Sequence, residues 1–255
     1  KQACSAGLNP GLLSNLVKQE ISAGLIKGQN SALAEAISKN IMNYKDPLGL
    51  KDQLAEWSKG LKFEGARDTI LFTDHSYQLL AYYKKYGYVD EFKKYAQEFV
   101  DYLNSKGVKT MIVIDPHTYD VLLNKYPIYT KGYNFRVIYY LDLIKNLRFK
   151  KTDTIITYHE PCYFTRHLDY GLPLDMLYDT SKLTMPSHKG KNTYCCGGPI
   201  NLLYPKASDN IAKRRFKELK RTKADTIITV CPFCYLNLSK DETVKDISEY
   251  LVKLI

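Results

Sequence analysis

The sequence predicts an α/β protein: two pseudo-symmetric Rossmann-like α/β halves behind a helical N-terminal extension. Three observations predict it. Short apolar runs alternate with stretches of helical periodicity. A strand-and-turn segment recurs with an offset of 116 residues. Five of the six cysteines fall in the second of the two similar halves.

Residues 1–45 form the extension. Leu12, Leu13, Leu16 and Val17, then Ile21, Leu25 and Ile26, recur near helical spacing, and Ser31 to Met42 continues with Leu33, Ala36, Ile37 and Ile41. Asp46-Pro47-Leu48-Gly49 is a turn and marks a boundary. The first half, residues 46–150, has strand runs at Thr69–Phe72 and Thr110–Ile114. Between them a helix is expected from Tyr88 to Lys106, with Phe92, Tyr95, Phe99 and Leu103 on one stripe. Phe135–Leu147 mixes both signals. The second half, residues 151–255, has strand runs at Thr154–Thr157 and Thr226–Val230. A helix from Ala207 to Arg221 lies between them, with Ser208 as its expected N-cap.

The repeat ties the halves together. Lys109 to Tyr119 aligns with Asp225 to Tyr235, so that Pro116 falls on Pro232 and Asp-Pro-His-Thr falls on Cys-Pro-Phe-Cys. Asp68-Thr69-Ile70 aligns with Asp153-Thr154-Ile155 at an offset of 85. The first half contains no cysteine, so a cysteine-held metal centre is expected only in the second.

Composition narrows the function classes. The net charge is +10, with 45% apolar and 25% charged residues, as in ordinary globular proteins. The cations are spread along the chain and fit no nucleic-acid reader, so a nucleic-acid partner is not expected. Lys213, Arg214, Arg215, Lys217, Lys220, Arg221 and Lys223 make a basic helix, read as a solvated face or a dock for an acidic partner. No apolar run is long enough to span a membrane, and no signal peptide is seen. The chain opens on Lys1 rather than Met, which leaves room for residues upstream. Cysteines without a secretory signal fit a reducing, cytoplasmic setting.

Cys162, Cys195, Cys196, Cys231 and Cys234 follow the pattern C-x32-CC-x34-C-x2-C. Each group follows a strand or sits in a loop, where open α/β sheets place their ligands. Gly197 and Gly198 let the backbone approach a bulky inorganic group, and Pro232 is expected to stiffen a turn that fixes Cys231 and Cys234. Zinc takes four ligands, and adjacent cysteines diverge too far to share one small ion. They can serve two iron atoms of a larger cluster. The pattern therefore favours iron–sulfur, with zinc as the alternative occupant.

These segments resemble a known family. Tyr158-His159-Glu160-Pro161-Cys162-Tyr163 through Arg166-His167, then Tyr194-Cys195-Cys196-Gly197-Gly198, then Val230 to Leu238, are similar to the cysteine-rich CCG domain. That domain occurs in the B and D subunits of heterodisulfide reductase. It also occurs in iron–sulfur subunits of glycolate, lactate and anaerobic glycerol-3-phosphate dehydrogenases, and in one class of succinate dehydrogenase subunit. The resemblance covers roughly residues 46–250 and is most specific in 153–240. It implies one 4Fe-4S cluster, in the best-understood members a non-cubane form, held by Cys162, Cys195, Cys196, Cys231 and Cys234. It further implies a complex with flavoprotein or ferredoxin-type subunits, placed in the cytoplasm or, through those partners, at the cytoplasmic face of the membrane.

Where the family carries a second cysteine set, this chain has His75 or Ser76, Asp115 and Thr118. One cluster passes one electron at a time, whereas a disulfide needs two. The expected role is therefore an electron-transfer subunit with a quinone, thiol/disulfide or protein acceptor. The alternative is a structural subunit holding zinc or an inert cluster and anchoring a dehydrogenase. His159, Glu160, Arg166 and His167 are the candidate catalytic residues, as proton carriers or as charges that tune the cluster. Asp74, His75, Asp115 and His117 form a candidate set for a divalent ion. Gln2 to Pro10, around Cys4, resembles the last cysteine turn of a ferredoxin-like domain.

Overall fold

The computed structural model describes residues 68–72, 89–201 and 204–255. The helical extension, Cys4, Asp74, His75 and Ser76 lie outside the described residues. The chain divides into two compact units. One takes the described residues up to Met111 together with Val121–Val137, and the other takes Ile112–Asp120 and Ile138–Ile255.

The α/β expectation holds. In chain order the first elements are β1 (Thr69–Phe72), α1 (Val89–Ser105), β2 (Thr110–Val113), α2 (Pro116–Asn124), α3 (Tyr126–Tyr129), β3 (Arg136–Tyr139) and α4 (Tyr140–Ile144). The mixed signal in 135–147 thus resolves into a strand running straight into a helix. Strands β1, β2 and β3 line up in that order in one sheet. In the first unit, the apolar stripe of α1 buries Phe92, Phe99 and Leu103. Phe92 and Phe99 both meet Tyr126 edge-on, each at 5.9 Å between ring centres.

The second unit continues with β4 (Ile155–Tyr158), α5 (Leu172–Thr180), β5 (Lys182–Leu183), α6 (Pro205–Lys220), β6 (Thr226–Thr229), α7 (Pro232–Leu238), β7 (Val244–Asp246) and α8 (Ile247–Leu251). Its sheet runs β5-β4-β6-β7, with every neighbour parallel. Ile156 registers with Thr226 and Tyr158 with Ile228, so β4 and β6 end side by side. Parallel strands need crossovers, and helices α5 and α6 lie in the long one from β4 to β6. The strand ends therefore deliver Cys162 and Cys231 to the same edge.

Two sequence expectations are corrected. Helix α6 starts at Pro205, two residues ahead of the expected start, because proline suits the first helical turn. Ser208 is consequently inside the helix, and it caps nothing. It is buried, and its hydroxyl donates to the Gly197 carbonyl at 2.9 Å. Pro232 likewise opens a helix instead of stiffening a turn: Cys231 is the N-cap of α7 and Cys234 lies in its first turn. Pro116 opens α2 in the same way, so both copies of the repeat are a strand, a proline and a helix.

Candidate metal centre

Three chain segments bring the five cysteines together. Cys162 follows β4 and leads into a π-helical turn, Phe164–Leu168, which ends on Asp169 in the left-handed region. Cys195 and Cys196 lie in the loop between β5 and α6. Cys231 and Cys234 flank the start of α7. All five are free thiols, and they form a continuous chain of contacts: Cys162 to Cys195, Cys195 to Cys196, Cys196 to Cys234, Cys234 to Cys231. Cys196, Cys231 and Cys234 are buried in an apolar cluster with Ala212, Leu219, Ile227, Leu238 and Val244. Cys162 and Cys195 are partly exposed, so the site opens to solvent on their side.

The paired-cysteine loop is held by its neighbours. Gly197 has φ +84°, and a Cβ there would stand 2.7 Å from the Ser208 carbonyl oxygen. A Cβ on Gly198 would stand 2.8 Å from the Phe233 carbonyl oxygen. The glycines are therefore demanded first by the backbones of α6 and α7, rather than by an inorganic group as their place in the motif suggests. With both side chains gone, the amide N–H groups of Gly197 and Gly198 point at Cys195 Sγ (3.3 Å) and Cys196 Sγ (3.4 Å). Asn237 of α7 donates to the Cys196 carbonyl at 2.6 Å and to the Ser208 hydroxyl at 3.2 Å.

The candidate residues around Cys162 separate into different tasks. Glu160 accepts from the Gly190 amide at 2.6 Å, and its carbonyl accepts from the Thr193 hydroxyl at 3.2 Å. Arg166 donates to the carbonyls of Lys191 (3.0 Å) and Thr193. Both therefore tie the 190–193 loop, which leads into Cys195. His167 stacks on Tyr163 with ring centres 4.7 Å apart. His159 is buried, and its Nδ1 accepts from Arg215 Nε at 3.0 Å. One ring nitrogen of His159 and the sulfurs of Cys196 and Cys234 lie within 4.8 Å of one another.

Arg215 corrects the reading of α6 as a uniformly solvated basic face. Its side chain is wholly buried, paired with Glu218 at 2.7 Å. The sequence offered little to single it out from Arg214 and Lys217. The signal was its place in the apolar row Ala212, Arg215 and Leu219, all of which the helix buries.

The first copy of the repeat contributes His117, a residue the sequence placed in a degenerate loop. His117 Nδ1 lies 3.1 Å from Asp115 Oδ1 and 3.9 Å from Cys231 Sγ. Its ring packs on Tyr163 and Phe233, at 4.0 and 5.1 Å between centres. Burial works against charge on this imidazole, but the Cys231 thiolate and the Asp115 carboxylate prevail and lift its pKa to about 9. Tyr139 joins the two copies: its hydroxyl lies 3.0 Å from both the Ile114 and the Val230 carbonyl oxygens.

The thiols share their protons unequally. The Cys162 and Cys196 thiols donate to Cys195 and hold it well below an ordinary thiol, as a thiolate. Cys162 is pushed up in return, by that hydrogen bond first and then by burial. Burial also opposes charge on Cys231, yet Cys234 and His117 bring its pKa down to about 6. Cys234 stays protonated through its hydrogen bonds to Cys196 and Cys231. Five crowded sulfurs in a largely apolar bed cannot all ionise without a cation among them. The donor set is soft, anionic when loaded, and supplied with backbone N–H groups aimed at sulfur. It fits a thiolate-bound iron centre.

Residues 156–239 match the family model of the CCG cysteine-rich domain. The chain's relatives include proteins named as iron–sulfur proteins and as subunits of oxidoreductases. The B subunit of the fumarate reductase (CoM/CoB) of Methanothermobacter marburgensis is 27% identical over 146 residues, covering 55% of this chain and 29% of the relative. The EtfAB:quinone oxidoreductase of Syntrophomonas wolfei is 28% identical, covering 51% of this chain and 21% of its own length. The D subunit of the dihydromethanophenazine:CoB–CoM heterodisulfide reductase of Methanosarcina barkeri is 25% identical, covering 99% of this chain and 75% of the relative. The chain thus spans less than a third of the first two of these proteins. Among the described residues no helix is long and apolar enough to cross a membrane.

Proposed function

We propose that Cys162, Cys195, Cys196, Cys231 and Cys234 hold one 4Fe-4S cluster, and that the chain is the electron-transfer subunit of a multi-subunit oxidoreductase. The observation that carries this is the unbroken row of sulfur contacts linking three separate chain segments. A bound cluster supplies one-electron transfer. The protein's part is to hold the thiolates, to exclude water from Cys196, Cys231 and Cys234, and to leave an approach at Cys162 and Cys195. Thiol protons must leave when iron enters, so loading releases protons and is favoured at higher pH.

Electrons would come from a flavoprotein or ferredoxin-type subunit and leave to a quinone, a thiol/disulfide or a partner protein. Such partners would also place the chain in the cytoplasm or at the cytoplasmic membrane face. The name of the Syntrophomonas relative includes quinone, and that of the Methanosarcina relative heterodisulfide, which supports acceptors of these kinds. The test is iron and acid-labile sulfide content together with the optical spectrum of protein purified without oxygen. About four irons with matching sulfide and a brown, reducible absorption are expected. A colourless protein carrying one zinc overturns the assignment and restores the anchoring role.

A further inference from the structure

Helix α6 sends one cation into the interior. Arg215 Nε donates to His159 Nδ1 at 3.0 Å, and its Nη1 donates to Glu218 Oε2 at 2.7 Å and to the His188 carbonyl at 2.9 Å. Its Nη2 lies 3.3 Å from the Thr193 hydroxyl. An arginine has only donors and keeps its proton in proteins. His159 Nδ1 must therefore be the acceptor, which leaves the single imidazole proton on Nε2. With Nδ1 turned to a guanidinium and one proton on Nε2, the ring is neutral.

That Nε2 is buried and has no hydrogen-bond partner in the protein. A buried donor without an acceptor is costly and is rarely retained. The ring has committed Nδ1 to Arg215, and its nearby candidate acceptors are Cys196 Sγ and Cys234 Sγ. As thiols those two sulfurs are occupied with one another. As iron-bound thiolates they would accept.

We propose that His159 is a fixed Nε2–H donor to the cluster thiolates, that Arg215 is the positioning residue that locks its tautomer, and that the pair raises the cluster's reduction potential. The proposal rests on the cluster assignment above. Reduction adds one negative charge, and both a donor to sulfur and a buried cation stabilise it. His159 is then neither a metal ligand nor a proton carrier. Its free lone pair is spent on Arg215.

The test begins with the metal content of the wild-type chain. Zinc in place of iron and sulfide sinks the cluster assignment, and this proposal with it, before any variant is made. With a cluster present, His159→Phe and Arg215→Met are expected to keep their iron and sulfide. Their oxidised-to-reduced ratio at a fixed potential should rise about tenfold, equivalent to about 59 mV for one electron. His159→Gln, which keeps an N–H, and Arg215→Lys, which keeps a donor and a charge, should recover most of that shift. Unchanged potentials in His159→Phe and Arg215→Met with full clusters overturn the proposal. Wild-type protein labelled with 15N-histidine decides the matter even if those variants fail to fold. Pulsed electron paramagnetic resonance should read a weak coupling, as from a donor across a hydrogen bond. A strong coupling, as from a ligand nitrogen, or no coupling at all, overturns it.

Discussion

The two strand–proline–helix turns, Asp115-Pro116-His117-Thr118 and Cys231-Pro232-Phe233-Cys234, use one backbone device for opposite ends. In the first, the Asp115 carboxylate turns on its own helix, accepting from the amides of His117 (2.9 Å) and Thr118 (3.1 Å). This is an ordinary N-cap, and it makes the turn locally self-sufficient. In the second, Cys231 sits at the N-cap position but no side-chain hydrogen bond caps the helix. Its sulfur is turned to Cys234 and His117 instead. A carboxylate that serves its own backbone stabilises the fold, whereas a thiol that leaves the helix end uncapped is turned to the row of sulfurs. The difference also shows why the first turn is not idle, since its His117 supports Cys231 from the side.

Removing one of the five sulfurs gives the largest expected effect. Cys195→Ser, Cys196→Ser or Cys231→Ser should lose the cluster, read as iron and sulfide content. Thr118→Cys, which completes half of a second C-P-x-C, should leave iron per chain unchanged, because no adjacent cysteine pair accompanies it. Next comes Gly197→Ala. A side chain at a left-handed position costs about 1–2 kcal/mol, and the clash with the Ser208 carbonyl adds to it, so thermal stability and iron loading should fall together. Asp115→Ala removes the self-sufficient cap and should cost about 1–2 kcal/mol in denaturant melts while iron content is preserved. Tyr139→Phe is the smallest. Losing the hydroxyl between Ile114 and Val230 should cost about 1 kcal/mol, with the cluster intact. If Tyr139→Phe empties the site, the two turns are coupled more tightly than one shared hydroxyl explains.

Local features were legible in the sequence and long-range ones were not. The strands at Thr69, Thr110, Ile155 and Thr226 and the helix from Val89 to Ser105 came from apolar period, which is a property of neighbours along the chain. The five cysteines announced themselves by spacing. Strands β5 and β7 have only two and three residues, too few to show a period. Ser208 reads as a cap because serine near a helix start usually is one. Its actual partner, the Gly197 carbonyl, is fixed by how α6 lies on the cysteine loop. Arg215 reads as solvated because the helix around it is basic, and its burial depends on His159, 56 positions earlier. His117 reads as a candidate ligand of a divalent ion, because its partner Cys231 is 114 positions away and leaves no local signal.

The parallel register of β4 and β6 has a consequence for the order of events in folding. Ile156 pairs with Thr226, seventy positions on, and Cys162 meets the other thiols only once that pairing exists. Closing so long a loop is entropically expensive and slow compared with forming a helix or a hairpin. On a nascent chain, Cys231 and Cys234 emerge together on one short helix, while the full set of five waits for the crossover to finish. Completion of the five-sulfur site is thus timed by topology.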